Sequence, residues 1–262
     1  MDQARERGQA YRHLAPPLRL LPEDALRIWG DAEERERALQ VILDALDGRG
    51  DLRAAVQRVD GAIEQGLAAV GLPRGPVPAV LLEAGQPPWA GLTDADATIH
   101  LAGAALRAVK SRGAPDEFFR TWVHESLHAR GPRLAVAETA TPGYEEGMAE
   151  GLARRMLLKH ASVPRIEGSF DHYVAGYETL SEVLGLDEEH LWRRLWEAPR
   201  GEVRARFVSA IEELRSAGGR GTLGVKQQAR LQGAADSIFL RERAHDRPNP
   251  DQLSTLWRLV LE

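Results

Sequence analysis

The sequence of 262 residues contains no cysteine. This absence excludes disulfide bonds, zinc sites built from thiolates, iron–sulfur clusters and a cysteine nucleophile. Lysine is also rare, at positions 110, 159 and 226, so nearly all of the 34 basic residues are arginines. Any metal ion would therefore have to be bound by His, Asp or Glu side chains.

Long hydrophobic runs are absent as well, and none approaches the roughly 18 apolar residues that a membrane-spanning helix requires. Residues 1–17 are charged and lack the apolar centre of a secretory signal. We therefore expect a cytoplasmic protein without a membrane partner, although a delivered effector or a virion component would also lack these segments. With 39 acidic and 34 basic residues the net charge is −5, so we expect no nucleic-acid partner.

The remaining composition is that of a globular protein with a packed core, with 43% hydrophobic and 28% charged residues. Two short apolar runs, residues 77–82 and 97–102, predict strands of a small sheet, and residues 85–96 are expected to form a loop between them. Apolar spacings of three and four predict helices over most of the chain. The predicted helices are residues 22–46 as one helix or two, 51–70, 115–130, 142–160, 173–184, 188–197, 202–217, 223–243 and 252–261.

These patterns predict a mainly helical α+β fold in three regions. Residues 1–72 are expected to form an N-terminal helical hairpin, residues 73–185 a core that contains the sheet, and residues 186–262 a C-terminal helical region. The chain lacks the phosphate-binding motif G-x-x-x-x-G-K-[ST] and the G-x-S-x-G turn of serine hydrolases. Neither of those two chemistries is expected.

Residues 124–128 read His-Glu-Ser-Leu-His, the pattern H-E-x-x-H. On a helix, residues four apart share one face, so His124 and His128 can reach a single ion and Glu125 can contact a water beside it. The helix has its own signals, since Pro115 suits its first position, acidic residues follow, and Gly131-Pro132 ends it. The spacing therefore predicts a metal-binding helix.

A third ligand is expected on the next predicted helix, which offers Glu145, Glu146 and Glu150. Four residues apart, Gly147 and Gly151 are expected to let that helix approach the histidine helix closely. If these glutamates were not ligands, they would form a solvated helix face.

At this point the chain resembles the gluzincin group of zinc metallopeptidases, in which a second helix with an N-E-G-F-A-like segment follows the H-E-x-x-H helix. Residues 146–149 read Glu-Gly-Met-Ala, and seventeen residues, 129–145, separate them from His128. Glu145 stands where the family has asparagine, and Glu150 stands where an Asp that orients a ligand histidine is usual. The resemblance covers residues 97–180 and implies a zincin-like core in which His124, His128 and Glu146 hold Zn²⁺, with Glu150 behind them.

Two histidines and one carboxylate leave the fourth position of zinc open, which is typical of a catalytic site. Glu125 would act as general base and then as acid in the hydrolysis of a peptide bond, so a peptide or protein is the expected partner. Tyr173, Tyr177 and His172, and more weakly Tyr144, are candidates to stabilise an oxyanion. By analogy with zincins, residues 97–102 are expected to form an edge strand that pairs with substrate.

Two other interpretations remain open from the sequence. A zincin-like scaffold that no longer cleaves peptides could serve as a binding or assembly module. Alternatively, the pentapeptide could occur in a helical protein that binds no metal, with the two histidines as a buried hydrogen-bonded pair.

Overall fold

The structure is a computed structural model that describes residues 27–49, 51–72, 78–83, 85–87, 89–94, 96–131, 142–161, 163, 170–199, 201–240 and 250–261. Several sequence-based predictions extend beyond these ranges. They include the start of the first helix at residue 22, the strand start at residue 77, the helix start at Thr141, the helix stop at Pro132 and the end of the helix predicted over 223–243.

The fold is α+β and mainly helical, as predicted. Residues 27–30 are helical, and ten longer helices follow in the described part of the chain: α1 Ala32–Leu46, α2 Leu52–Ala69, α3 Gly103–Ser111, α4 Pro115–Arg130, α5 Pro142–Ala161, α6 Asp171–Leu184, α7 Glu188–Trp196, α8 Val203–Ala217, α9 Val225–Phe239 and α10 Pro250–Leu261. The strands are β1 Val80–Glu83, β2 Gly91–Thr93 and β3 Ile99–Ala102. None of the described helices has the length and apolar character needed to cross a membrane.

The three strands form one sheet in the order β1-β3-β2, with β3 parallel to β1 and antiparallel to β2. The prediction that residues 97–102 form an edge strand is therefore wrong, because β3 has a partner on each side. Strand β2 lies within residues 85–96, which were expected to be a loop. Three residues are too few to show the alternation by which a strand is recognised in a sequence.

The chain divides into two units, and the division falls within helix α5. The first unit comprises residues 1–130 and 153–166, and therefore contains helices α1 to α4, the sheet and the second half of α5. Asp31 and Asp51 cap the first two helices by accepting hydrogen bonds from the backbone of Glu33 and Ala54. Buried side chains of α1, α2 and α4, among them Leu39, Ile42, Val59, Ile63, Phe119 and Trp122, form the core of this unit.

The second unit comprises residues 131–152 and 167–262, which include the first half of α5 and helices α6 to α10. Its core is aromatic, since Tyr144, Tyr177, Phe207 and Phe239 lie with ring centroids 4.5 to 6.1 Å apart. Aromatic rings in such edge-to-face and tilted arrangements add to the stability that their burial provides.

The two glycines of α5 have a different role from the predicted one. A Cβ at Gly147 would lie 2.7 Å from Cβ of Tyr173, and a Cβ at Gly151 would lie 2.5 Å from the ring of Trp192. Both glycines therefore allow α5 to pack closely against α6 and α7, and the prediction that they face the histidine helix is wrong.

Candidate metal centre

Helix α4 carries the H-E-x-x-H residues and is fixed near both ends by ion pairs. At its first turn Asp116 accepts a hydrogen bond of 2.6 Å from Nε of the buried Arg35 on α1. At its last residue, Arg130 pairs with Asp60 on α2. Pro115 starts the helix and acidic residues occupy its first turn, as the sequence predicted. The helix is thus held against α1 and α2.

The imidazoles of His124 and His128 face one another through their Nε2 atoms. These two atoms lie 3.2 Å apart, and the ring planes meet at 70°. Two Zn–N bonds of about 2.0–2.1 Å at a tetrahedral angle would place their nitrogens roughly 3.3 Å apart. The distance therefore fits two ligands of one zinc ion, and it also fits a hydrogen bond between two neutral rings.

A third donor completes a possible set of ligands. His124, His128 and Glu146 each offer one ligand atom, and these atoms lie within 4.8 Å of one another. Two imidazole nitrogens and one carboxylate oxygen are a donor set that Zn²⁺ accepts in catalytic sites. Glu146 is half-buried, whereas Glu145 and Glu150 are buried. Glu145 accepts a hydrogen bond of 2.7 Å from the backbone of Gly201 and is thereby engaged within the second unit.

Glu125 is buried, with 7% of its surface exposed, and lies against strand β2. Oε2 of Glu125 lies 2.8 Å from Oγ1 of Thr93, which is also 2.9 Å from the backbone oxygen of Glu125. The glycine two residues before Thr93 leaves room for this arrangement, because a Cβ at Gly91 would lie 2.8 Å from Cγ of Glu125. Strand β2 therefore contacts the Glu125 carboxylate through Thr93 and leaves room for it at Gly91.

Sequence reasoning missed Thr93 and Gly91 because both fall in residues 85–96, the segment expected to be a loop. A hydroxyl residue and a glycine two positions apart are common in loops and carry no signal by themselves. Their relation to Glu125 comes from the pairing of β2 with β3, in which Thr93 is opposite Ile99 and Gly91 is opposite Leu101.

The tyrosines considered as oxyanion donors lie in the core of the second unit. Tyr177 is fully buried and donates its hydroxyl to the backbone oxygen of Tyr144, 3.0 Å away. Burial raises the pKa of Tyr177 well above its usual value. Tyr144 donates to Oδ1 of Asp236 at 2.8 Å. Tyr173 is 3% exposed and its ring lies 3.7 Å from that of His172.

A second group of titratable residues lies on the sheet. His100 on β3 contacts Glu83 through Nδ1 at 2.9 Å and Asp94 through Nε2 at 3.0 Å. Burial lowers the pKa of His100, but the hydrogen bonds to Asp94 and Glu83 outweigh it, so that the pKa is raised. A protonated His100 therefore links β1 to the turn that follows β2.

Searches against protein-family models, curated proteins and solved structures find no match to this chain.

Proposed function

We propose that this protein is a zinc-dependent peptidase of the gluzincin type. The observation that carries the proposal is the group formed by His124, His128 and Glu146, whose ligand atoms lie within 4.8 Å of one another. The 3.2 Å between the two imidazole nitrogens supports it, since this is close to the separation expected in a tetrahedral zinc site. The sequence context of Glu146 supports it further.

In this proposal His124, His128 and Glu146 hold the ion and Glu125 transfers the proton. When bound, zinc would supply a Lewis acid that makes water a nucleophile near neutral pH. Glu125 would accept a proton from the attacking water and later give it to the leaving amine. The position of Glu125 next to His124 on the same helix suits this role. Tyr173 and Tyr177 are packing residues of the second unit in this account.

The substrate would be an extended peptide that pairs with strand β2. In the described sheet, β2 pairs with β3 on one side only, and in this proposal a peptide strand pairs with its other edge. Gly91 and Thr93 of this strand lie against Glu125. A peptide bound there would pass close to the proposed base.

The first test is the metal content of the purified full chain, measured by elemental analysis after dialysis. We expect one zinc per chain in the wild type and in Glu125→Gln, and less than a tenth of that in His128→Ala. The matched control is His190→Ala, which replaces an exposed histidine on α7 and should keep full zinc.

The second test is hydrolysis of a degenerate fluorescence-quenched peptide library. Cleavage should occur with the wild type, stop on treatment with a chelator, return on addition of zinc and be abolished in Glu125→Gln. Zinc without cleavage would overturn the peptidase and favour a binding or assembly module with a zincin-like site. Absence of both zinc and cleavage would leave a helical protein in which the two histidines bond to each other.

A further inference from the structure

We propose that Thr93 is a positioning residue that orients the carboxylate of Glu125 for proton transfer. The catalytic role of Thr93 rests on the proposed peptidase function. The hydrogen bond by which Thr93 orients Glu125 does not depend on that function. Both residues belong to the first unit. Thr93 lies on strand β2 and not on the helix that carries the H-E-x-x-H residues.

The hydrogen bonding of Thr93 favours one acceptor. Its hydroxyl oxygen lies 2.8 Å from Oε2 of Glu125 and 2.9 Å from the backbone oxygen of the same residue, but it carries one proton. Glu125 lies inside α4, where its backbone oxygen is already the acceptor of the helix hydrogen bond from four residues on, so we assign the proton of Thr93 to Oε2. The other carboxylate oxygen, Oε1, is thereby left for the proton-transfer step.

Burial makes this hydrogen bond effective. Thr93 is 5% exposed and Glu125 7% exposed, so little water competes for either group. A hydrogen bond from this buried hydroxyl therefore holds the carboxylate in one orientation.

Gly91 on β2 also constrains the position of the Glu125 carboxylate, together with the hydrogen bond from Thr93. A Cβ at Gly91 would lie 2.8 Å from Cγ of Glu125, 2.8 Å from Cγ2 of Thr121 and 3.1 Å from Oε1 of Glu125. Only glycine fits between these atoms without displacing the carboxylate. A peptide that pairs with β2 would thus bind to the strand that sets the position of Oε1.

The test compares Thr93→Val, which removes the hydroxyl and keeps the shape, with Thr93→Ser, which keeps the hydroxyl. Because a hydrogen bond to a charged group contributes about 10- to 100-fold in an equilibrium or a rate, we expect Thr93→Val to lower kcat on the peptide library by that factor. The KM and the bound zinc should stay unchanged, and Thr93→Ser should retain kcat within about threefold. The matched control is Thr179→Val on α6, where a buried hydroxyl donates to the backbone oxygen of Ala175.

A second measurement does not depend on activity. The infrared difference spectrum between wild type and Glu125→Gln, recorded on the chelated protein at a fixed pH, isolates the carboxylate stretch of Glu125. This band should shift in Thr93→Val and stay in place in Thr93→Ser and Thr179→Val. An unchanged band in Thr93→Val, or an equal loss of kcat in Thr93→Ser, would overturn the role of the hydroxyl.

The two measurements separate this inference from the proposed function. If the wild type binds no zinc or cleaves no peptide, the proposed function fails, and the infrared band still decides whether Thr93 orients Glu125. If the wild type cleaves peptides and Thr93→Val is as active as the control, the peptidase stands and the positioning role is wrong.

Discussion

Both carboxylate oxygens of Asp60 lie 2.7 Å from Nη2 of Arg130. The pair joins α2 to the last residue of α4, two residues beyond His128, and both side chains are buried. Burial raises the pKa of Asp60, and the adjacent Arg130 offsets this only in part. A buried pair of this kind adds little net stability, but removing Asp60 takes a carboxylate away from the buried guanidinium of Arg130, which is costly.

Asp60→Ala should therefore destabilise the protein strongly. We expect the free energy of unfolding to fall by about 3–5 kcal/mol, measured by urea denaturation followed by circular dichroism. The control is Asp47→Ala, whose ion pair with Arg107 is exposed and should contribute nothing measurable. Equal losses in the two variants would contradict the argument from burial.

The sequence predicts best where the signals are local. Helix α4 was predicted from Pro115 to Arg130 because proline, acidic residues and a following Gly-Pro mark its ends. The two histidines and Glu125 were predicted as a group because helix geometry alone places them together. Helix α3, by contrast, was not predicted: it begins with Gly103 after Ala102 and has no side chain that caps its start.

The residue pairs that could not be predicted from the sequence are contacts between segments that lie far apart in the chain. Asp60 and Arg130 are 70 residues apart, and Thr93 and Glu125 are 32 residues apart. Each pair meets only because helices and strands pack in one arrangement, which residue spacing does not encode. The neighbours of Gly147 and Gly151 were wrongly assigned for the same reason.

His100 should make the stability of the protein depend on pH. Its pKa in the folded state is raised above 6.5 by Asp94 and Glu83 against the effect of burial. The stabilisation is therefore fully present below pH 6.5 and is lost as the pH rises through the folded-state pKa. Urea denaturation at pH 5.5 and pH 8.5 should show a larger loss of stability in the wild type than in His100→Gln.

The control for this pH effect is the exposed His190 on α7, whose side chain is 61% exposed. His190→Gln leaves the contacts of His100 with Asp94 and Glu83 intact, so the pH dependence that they cause should persist. If His100→Gln also behaves like the wild type, the link between β1 and the turn after β2 does not depend on the charge of His100.

Ala97 has a positive φ of 65° in the turn between β2 and β3. This left-handed conformation costs a residue with a side chain roughly 1–2 kcal/mol, and glycine adopts it freely. Ala97→Gly should therefore stabilise the protein, by up to about 1 kcal/mol once the greater freedom of glycine in the unfolded chain is included. The same substitution at the exposed helical Ala108 should destabilise it by roughly 1 kcal/mol. The changes in the free energy of unfolding, measured by urea denaturation, should have opposite signs in the two variants. A loss of stability in Ala97→Gly would contradict the expected relief of backbone strain.

Gly151 lies in α5 against the ring of Trp192, so that alanine should not fit there. A Cβ at this position would lie 2.5 Å from Cε2, 2.6 Å from Cζ2 and 2.9 Å from Cδ2 of that ring. Trp192 is buried, and a rigid indole can give way only by moving α7. Overpacking of this kind costs about 1–3 kcal/mol, which exceeds the roughly 0.8–1 kcal/mol that alanine gains over glycine in a helix.

The matched variant for Gly151→Ala is Gly233→Ala on α9, where nothing lies within 4 Å of the added Cβ. There the helical preference of alanine should act alone and raise the free energy of unfolding by about 0.8–1 kcal/mol. Urea denaturation should therefore give Gly233→Ala a higher free energy of unfolding than the wild type and Gly151→Ala a lower one, and intrinsic tryptophan fluorescence should shift only in Gly151→Ala. Stabilisation by Gly151→Ala would mean that α5 and α7 are farther apart than these distances require, because the indole would then have room for a methyl group.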